Sequence, residues 1–206
     1  SSISDISVSN RKSSTYFVGD QGDEKADYTE NFANDGTTVK TISVNYYGDD
    51  ALRASAPTVS ADDRMVKSDS HKVSSISDIS VSNRKSSTYF VGDQGDEKAD
   101  YTENFANDGT TVKTISVNYY GDDALRASAP TTSADDRMVK SDSHKVSSIS
   151  DVAVSNRKSS TYFVGDQGDE KADYTENFAN DGTTVKTISV NYYGDDALRA
   201  SAPTTS

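Results

Sequence analysis

The residues best suited to chemistry lie in the stretch GDQGDEKAD at positions 19–27. Asp20, Asp23, Glu24 and Asp27 place four carboxylates around a glycine turn. Calcium takes about six to eight hard oxygen ligands, so such a turn is a candidate for part of its shell. The set recurs as Asp93, Asp96, Glu97 and Asp100, and again as Asp166, Asp169, Glu170 and Asp173. The alternating acids of an EF-hand loop and the glycine–aspartate nonapeptide of calcium-binding β-rolls are both missing. A calcium site would therefore have to borrow ligands from elsewhere, with Asp49, Asp50, Asp62 and Asp63 as the candidates. The competing reading is a solvated turn whose aspartates aid solubility.

Other chemistries find less support. The histidines, His71 and His144, have no cysteine partner and no HExxH spacing, and between SDS and KV they read as solvated polar residues. No GxSxG or phosphate-binding glycine loop occurs. The adjacent acids Asp49–Asp50 and Asp62–Asp63 would point to opposite faces of a strand, which suits acid–base work poorly. The expectation is that the chain is not an enzyme. Asn-x-Ser/Thr sequons are absent, whereas SSIS, KSST and PTTS offer hydroxyls for O-linked sugars.

The elements that must position these residues are repeated. NFANDGTTVK at 31–40 returns unchanged at 104–113 and 177–186, a period of 73 residues. The expected units are 1–73, 74–146 and a partial unit 147–206, read as a window on a longer array of undetermined phase. Only three repeat positions vary: Ile6 and Ile79 become Val152, Ser7 and Ser80 become Ala153, and Val59 becomes Thr132 and Thr205. A catalytic centre rarely needs three copies, so the repetition itself points to architecture.

The net charge of −12 is dosed evenly over the copies, which argues against nucleic acid and anionic lipid as partners. No apolar run approaches the roughly 20 residues that cross a bilayer as a helix, so membrane insertion is not expected. Cysteine is absent, which removes disulfides and thiolate sites.

Low hydrophobicity with excess charge is the composition of disorder. Against it, Tyr16, Phe17, Tyr28, Phe32, Tyr46 and Tyr47 alternate with β-branched residues, which favours strands. In KTISVNYY, Ile42, Val44 and Tyr46 fall on one face and Thr41, Ser43 and Asn45 on the other. In ADYTENF, Ala26, Tyr28 and Phe32 alternate with Asp27, Thr29 and Asn31, with Glu30 the misfit. Asn34, Asp35 and Gly36 make a turn between them, so residues 25–47 read as a β-hairpin. Further strands are expected at 14–18, around Arg64 and in ISDISVS around Ile3, with a helical turn at DDALRA. The fold class is thus all-β: a tandem array of near-identical 73-residue units built from antiparallel hairpins and stacked into an extended superhelix.

YTENFANDGTTVKTISVNYYGD resembles the YD or Rhs type of hairpin repeat found in large secreted bacterial proteins, with Phe32, Gly36 and Val39 near the matching positions. Ala33 stands where that family usually has Asp, and Glu30 where it often has Tyr. The likeness covers about a third of each repeat and implies an extracellular, β-rich repeat protein.

The function expected is a structural tandem-repeat protein of an extracellular fibre, stalk or surface layer, its partners being neighbouring repeats and further copies of itself. Units of this length, if compact beads, would recur every roughly 25 to 30 Å. The alternatives are a multivalent adhesin-like module that binds a glycan or surface through Tyr46 and Tyr47, and an acidic spacer rigidified by calcium.

Overall fold

A computed structural model describes residues 7–202. The chain is all-β, and among these residues the helical elements are 3-10 turns of three residues. The first copy carries β1 (Ser13–Val18), β2 (Lys25–Phe32), β3 (Val39–Tyr47), β4 (Leu52–Arg53) and β5 (Met65–His71). The second has β6 (Arg84–Val91), β7 (Lys98–Phe105), β8 (Val112–Tyr120), β9 (Leu125–Arg126) and β10 (Met138–His144). The third has β11 (Arg157–Val164), β12 (Lys171–Phe178), β13 (Val185–Val190), β14 (Tyr192–Tyr193) and β15 (Leu198–Arg199).

The chain divides into two compact units, Ser1–Glu97 with Asn104–Thr111, and Lys98–Glu103 with Val112–Ser206. In the first, the antiparallel order is β1-β2-β3-β5-β6, with β4 attached to β3. In the second, β8-β10-β11-β12-β13 follow one another antiparallel, β9 pairs with β8, and β14 and β15 form a separate ribbon.

Register builds two different faces. On one, Tyr16, Tyr28, Val44, Asp69 and Ser87 stand side by side across five strands, and Ser14, Glu30, Ile42, His71 and Arg84 form the next row. Ile42 is 0% exposed there, and Val44, Asp69, His71 and Ser87 are buried. The opposite face carries Thr15, Thr29, Ser43, Ser70 and Ser86 in register, none of them buried. The misfit Glu30 shares the face of Tyr28 at its exposed end, where it accepts a hydrogen bond from the Tyr16 hydroxyl at 3.0 Å. Tyr16 itself stacks on Tyr28, ring centroids 4.4 Å apart.

The hairpin turn owes its sequence to two close constraints. Asp35 accepts from the Thr37 and Thr38 amides, both at 2.9 Å, and from the Thr38 hydroxyl at 2.6 Å. That hydroxyl bond, with the two amide bonds, lowers the Asp35 carboxyl to about 2. Gly36 has φ +69°, and a Cβ there would lie 1.8 Å from the Val8 carbonyl oxygen. The 3-10 turn Val8–Asn10 thus packs directly on the hairpin, and Arg11 donates to the Gly36 carbonyl while lying over the Phe32 ring.

Two elements differ from the sequence expectation. ISDISVS does not form a strand: its second copy folds into the 3-10 turns Ile76–Asp78 and Val81–Asn83, and the part before Ser7 lies outside the described residues. Serine and asparagine side chains satisfy the backbone locally instead, Ser75 accepting from the Ser77 amide and Asn83 donating to the Asp78 carbonyl. DDALRA is not helical either. Ala51 takes φ 49° in a tight turn, which sends Leu52 and Arg53 back to pair with Tyr47 and Tyr46.

Candidate functional site: the strand between repeats

The most constrained segment is β5 with its approach, residues 61–72. One edge of β5 pairs with β3 of its own copy, Ile42 to His71 and Val44 to Asp69. The other pairs with β6, the first strand of the following copy, Lys67 to Tyr89 and Asp69 to Ser87. One strand therefore joins two repeats, and β10 repeats the arrangement between β8 and β11.

Its buried side chains are polar, which makes the register selective. Asp69 accepts from the wholly buried Ser87 hydroxyl at 2.6 Å, faces Lys67 Nζ at 3.0 Å, and has Arg84 Nη1 at 4.0 Å. The copy around Asp142 has Ser160 at 2.6 Å, Lys140 at 3.0 Å and Arg157 at 3.8 Å. Slipping the strand by one residue would turn the carboxylate to the other face and strand these partners. Lys67 also lies over the Tyr46 ring, 4.2 Å from its centroid.

The histidines are not solvated. His71 and His144 are buried at the end of this strand because each is bonded through Nδ1, at 2.9 Å, to an asparagine of the following 3-10 turn, Asn83 or Asn156. Their Nε2 atoms have no hydrogen-bond partner among the described residues. The asparagine amide nitrogens donate to the Asp78 and Asp151 carbonyls, which leaves their oxygens facing the rings, so Nδ1 is the donor. Lys72 seals the same corner by donating its amide to the Asn83 carbonyl.

The acidic turn meets this strand from the other side. Glu97 accepts the Met65 amide on Oε1 at 2.8 Å and the Gly95 amide on Oε2 at 3.0 Å, while Gln94 donates to the Ala61 carbonyl at 2.7 Å. In the next copy Glu170 and Gln167 make the same bonds to Met138, Gly168 and Ala134. Burial works to raise the Glu170 carboxyl, but the amides of Met138, Gly168 and Glu170 itself outweigh it and hold the group below the usual range. Lys25 completes the clasp from within its own copy, donating to the Asp63 carbonyl at 2.6 Å.

The carboxylates singled out in the sequence are therefore dispersed. Asp27, Asp100 and Asp173 are buried and bound by Arg53, Arg126 and Arg199. The Arg199 hydrogen bond holds the Asp173 carboxyl low against the effect of its burial. Asp20, Asp23, Asp93, Asp96, Asp166 and Asp169 are exposed at the turn, as is Glu24, which accepts the Gly22 amide. Asp93 does approach three of the borrowed candidates: with Asp49, Asp62 and Asp63 it lines an open cleft of about 200 Å³. Arg64, which pairs with Asp49 at 3.0 Å, shares that cleft, and Asp63 is held by the Ser60 amide. Among the described residues no three such side chains converge in a metal-binding arrangement.

Tyr47, offered as a contact residue, is buried and donates its hydroxyl to the Ala26 carbonyl at 2.8 Å. Tyr46 is half-buried beneath Lys67. The opposite face carries hydroxyls and an amide, with Asn118, Ser141, Thr161, Thr175 and Ser189 aligned across five strands, the first four half-buried and Ser189 exposed. Sequence reading missed the roles of Lys67, Asp69, His71 and Ser87. The available signal was parity: in MVKSDSH the residues with specific chemistry, Lys67, Asp69 and His71, share one face while Ser68 and Ser70 share the other.

No family model, curated protein or solved structure matches this chain.

Proposed function

We propose that the chain is a structural tandem-repeat element of an extracellular fibre, stalk or surface layer, in which successive 73-residue copies are joined by a shared strand into an extended superhelix. The observation that carries this reading is β5, hydrogen-bonded along one edge to its own hairpin and along the other to the next copy. A joint made of sheet pairing and buried polar contacts transmits tension through many bonds at once, and a flexible linker does not. The likeness of residues 28–49 to secreted YD-type hairpin repeats supports the extracellular placement.

Electron microscopy of the full-length protein tests it. From β1 to the equivalent β6, one copy advances by four strands. At about 4.8 Å per strand the axial repeat is about 19 Å, shorter than the roughly 25 to 30 Å of stacked beads. Regular filaments with the shorter repeat, unchanged by a calcium chelator, are the expected outcome. Flexible strings of separate globules would sink the proposal, and softening in chelator would favour the calcium-rigidified spacer instead. A second reading, multivalent binding of a glycan-bearing surface, rests on the partly exposed Ser, Thr and Asn face, whose repeated hydroxyls suit a polar polymer.

A further inference from the structure

The glutamate that breaks the alternation of β2, Glu30, recurs on β12 as Glu176, and in both copies it serves a tyrosine pair. Tyr16 and Tyr28 are direct cross-strand partners on β1 and β2, as are Tyr162 and Tyr174 on β11 and β12. Directly opposed side chains have Cβ atoms about 4.5–5.5 Å apart, which brings two aromatic rings within reach of each other. Here the rings stack: their centroids are 4.4 Å apart at 14° in the first copy and 4.6 Å apart at 19° in the third. The Tyr162 hydroxyl donates to Glu176 Oε2 at 3.0 Å, as the Tyr16 hydroxyl does to Glu30. Burial, and after it the bond to Glu176, pushes the Tyr162 phenol up to about 12, so near neutral pH it keeps its proton until an electron is removed. Each pair is also the last in regular register before the ladder shifts at Phe17 or Phe163.

We propose that each stacked pair is a site of oxidative modification, where Tyr162 couples to Tyr174, and Tyr16 to Tyr28, as a dityrosine crosslink when a one-electron peroxidase consumes hydrogen peroxide. The peroxidase takes one electron from each phenol. The Tyr162 proton passes to Glu176, to which it is already hydrogen-bonded, and the Tyr174 proton passes to water. The two phenoxyl radicals join through the ring carbons ortho to their oxygens. The hydrogens on those carbons then leave as protons and the oxygens regain theirs, which restores both phenols. The net change is one carbon–carbon bond formed and two hydrogen atoms lost, and these reduce one hydrogen peroxide to two waters. Stacking holds the two radicals in contact, so coupling within the pair outruns an encounter between chains. The bond staples β11 to β12 beside an irregularity that disrupts the ladder, and so fixes the turn whose Glu170 binds the Met138 amide. It needs one folded chain and no filament, so it goes beyond the structural reading and fails or holds separately from it.

The experiment treats the 206-residue chain with a haem peroxidase and limiting hydrogen peroxide, isolates the monomer and maps dityrosine in a tryptic digest by mass. Because the copies share their peptide sequences, Thr183→Ser, at an exposed turn position, marks the peptide that carries Tyr174, residues 172–186. The expected product joins the marked peptide to residues 159–171, which carry Tyr162, and is two hydrogens lighter than their sum. Tyr162→Phe, which keeps the ring, should abolish that product. Glu176→Gln, which accepts the hydrogen bond but not the proton, should slow its formation about ten-fold or more. The inference is overturned if the monomer holds no marked product, or if Tyr162→Phe leaves the marked peptide as crosslinked as before. It is equally overturned if dityrosine is confined to the TISVNYY peptides, which include Tyr192, 62% exposed. An unchanged rate in Glu176→Gln would overturn the part given to the carboxylate.

Discussion

Replacing Asp142 by alanine tests whether the joint between repeats is held by its buried carboxylate. The side chain accepts from the Ser160 hydroxyl at 2.6 Å, pairs with Lys140 at 3.0 Å and has Arg157 at 3.8 Å. Asp142 is buried, Ser160 wholly so, and the two cations are mostly covered. Alanine would leave the hydroxyl without an acceptor and two cations without their counter-charge. Breaking a buried ion pair from one side costs about 3–5 kcal/mol, and the orphaned hydroxyl lies within that range. Asp142→Asn keeps an acceptor for Ser160 but removes the charge, so about half the loss is expected. Asp122→Ala is the control: its pair with Arg137, at 2.9 Å, lies on a side chain 87% exposed and contributes about 0–1 kcal/mol. Repeat arrays need not unfold in one step, so the assay is native-state hydrogen exchange, amide by amide. The β10 and β11 amides should exchange roughly 10²- to 4 × 10³-fold faster in Asp142→Ala, with little change in Asp122→Ala. An effect on β10 no larger than that of the control would refute the argument that this carboxylate holds the joint.

Two further outcomes follow from the hairpin turn. Gly109→Ala combines φ +70° with a Cβ 1.9 Å from the Val81 carbonyl oxygen. The left-handed conformation alone costs about 1–2 kcal/mol, and the clash must part the turn from the segment packed on it. Thermal melting should therefore show a loss well above that of Gly95→Ala, where φ is +88° but nothing lies within 4 Å of the new atom. Acid should loosen the same turns. Asp35, Asp108 and Asp181 sit at about 2 in the folded chain, chiefly through a threonine hydroxyl bond with amide support. A depressed carboxyl stabilises the fold fully above its unfolded value of 3.8, and the contribution is lost as pH falls through about 2. After correction for the intrinsic pH dependence, amide protection at Thr110 and Thr111 should fall between about pH 5 and about pH 2, and Asp108→Asn should flatten that response. Unchanged protection across that interval would contradict the turn's role.

Alternation made most of the sheet legible. Ile42 and Val44 are buried opposite Thr41 and Ser43, and the turn falls at Gly36, because a strand with one covered face must write that face at every second letter. The 3-10 turns at 76–83 were not legible. Only the ISVS end of ISDISVS alternates as a strand does, and the flanking serine and Asn83 bind neighbouring backbone, a competition that periodicity does not register. The site was half legible. The acidic turn does engage the rest of the fold, yet its glutamate binds the Met65 amide, a partner 32 residues earlier in the chain, which no local spacing announces. His71 reads as solvated, and Asp69 is not singled out, because charge and polarity normally mark exposure. They are buried because each finds its partner in the next copy, Asn83 and Ser87, so the relevant distance is set by the repeat and not by the segment.

The strictness of the repetition has a physical origin in the same strand. A residue of β5 must fit β3 on one edge and β6 on the other, and β6 is itself the copy of β1. A change in any strand therefore disturbs a joint on each side, and in an array the same change recurs at every joint. The tolerated substitutions fall where that argument lapses. Ile79 and Val152, Ser80 and Ala153, and Val59 and Thr132 all lie between strands. Where Ser80 becomes Ala153 the amide bond to the asparagine is kept, at 3.3 Å in both copies. Where Val59 becomes Thr132 the new hydroxyl finds the Arg126 carbonyl at 2.7 Å. The shared strand accounts for identity at the positions that face a joint, because each joint is an interface that the next joint must reproduce, whereas the equal identity of the exposed turns has no such explanation.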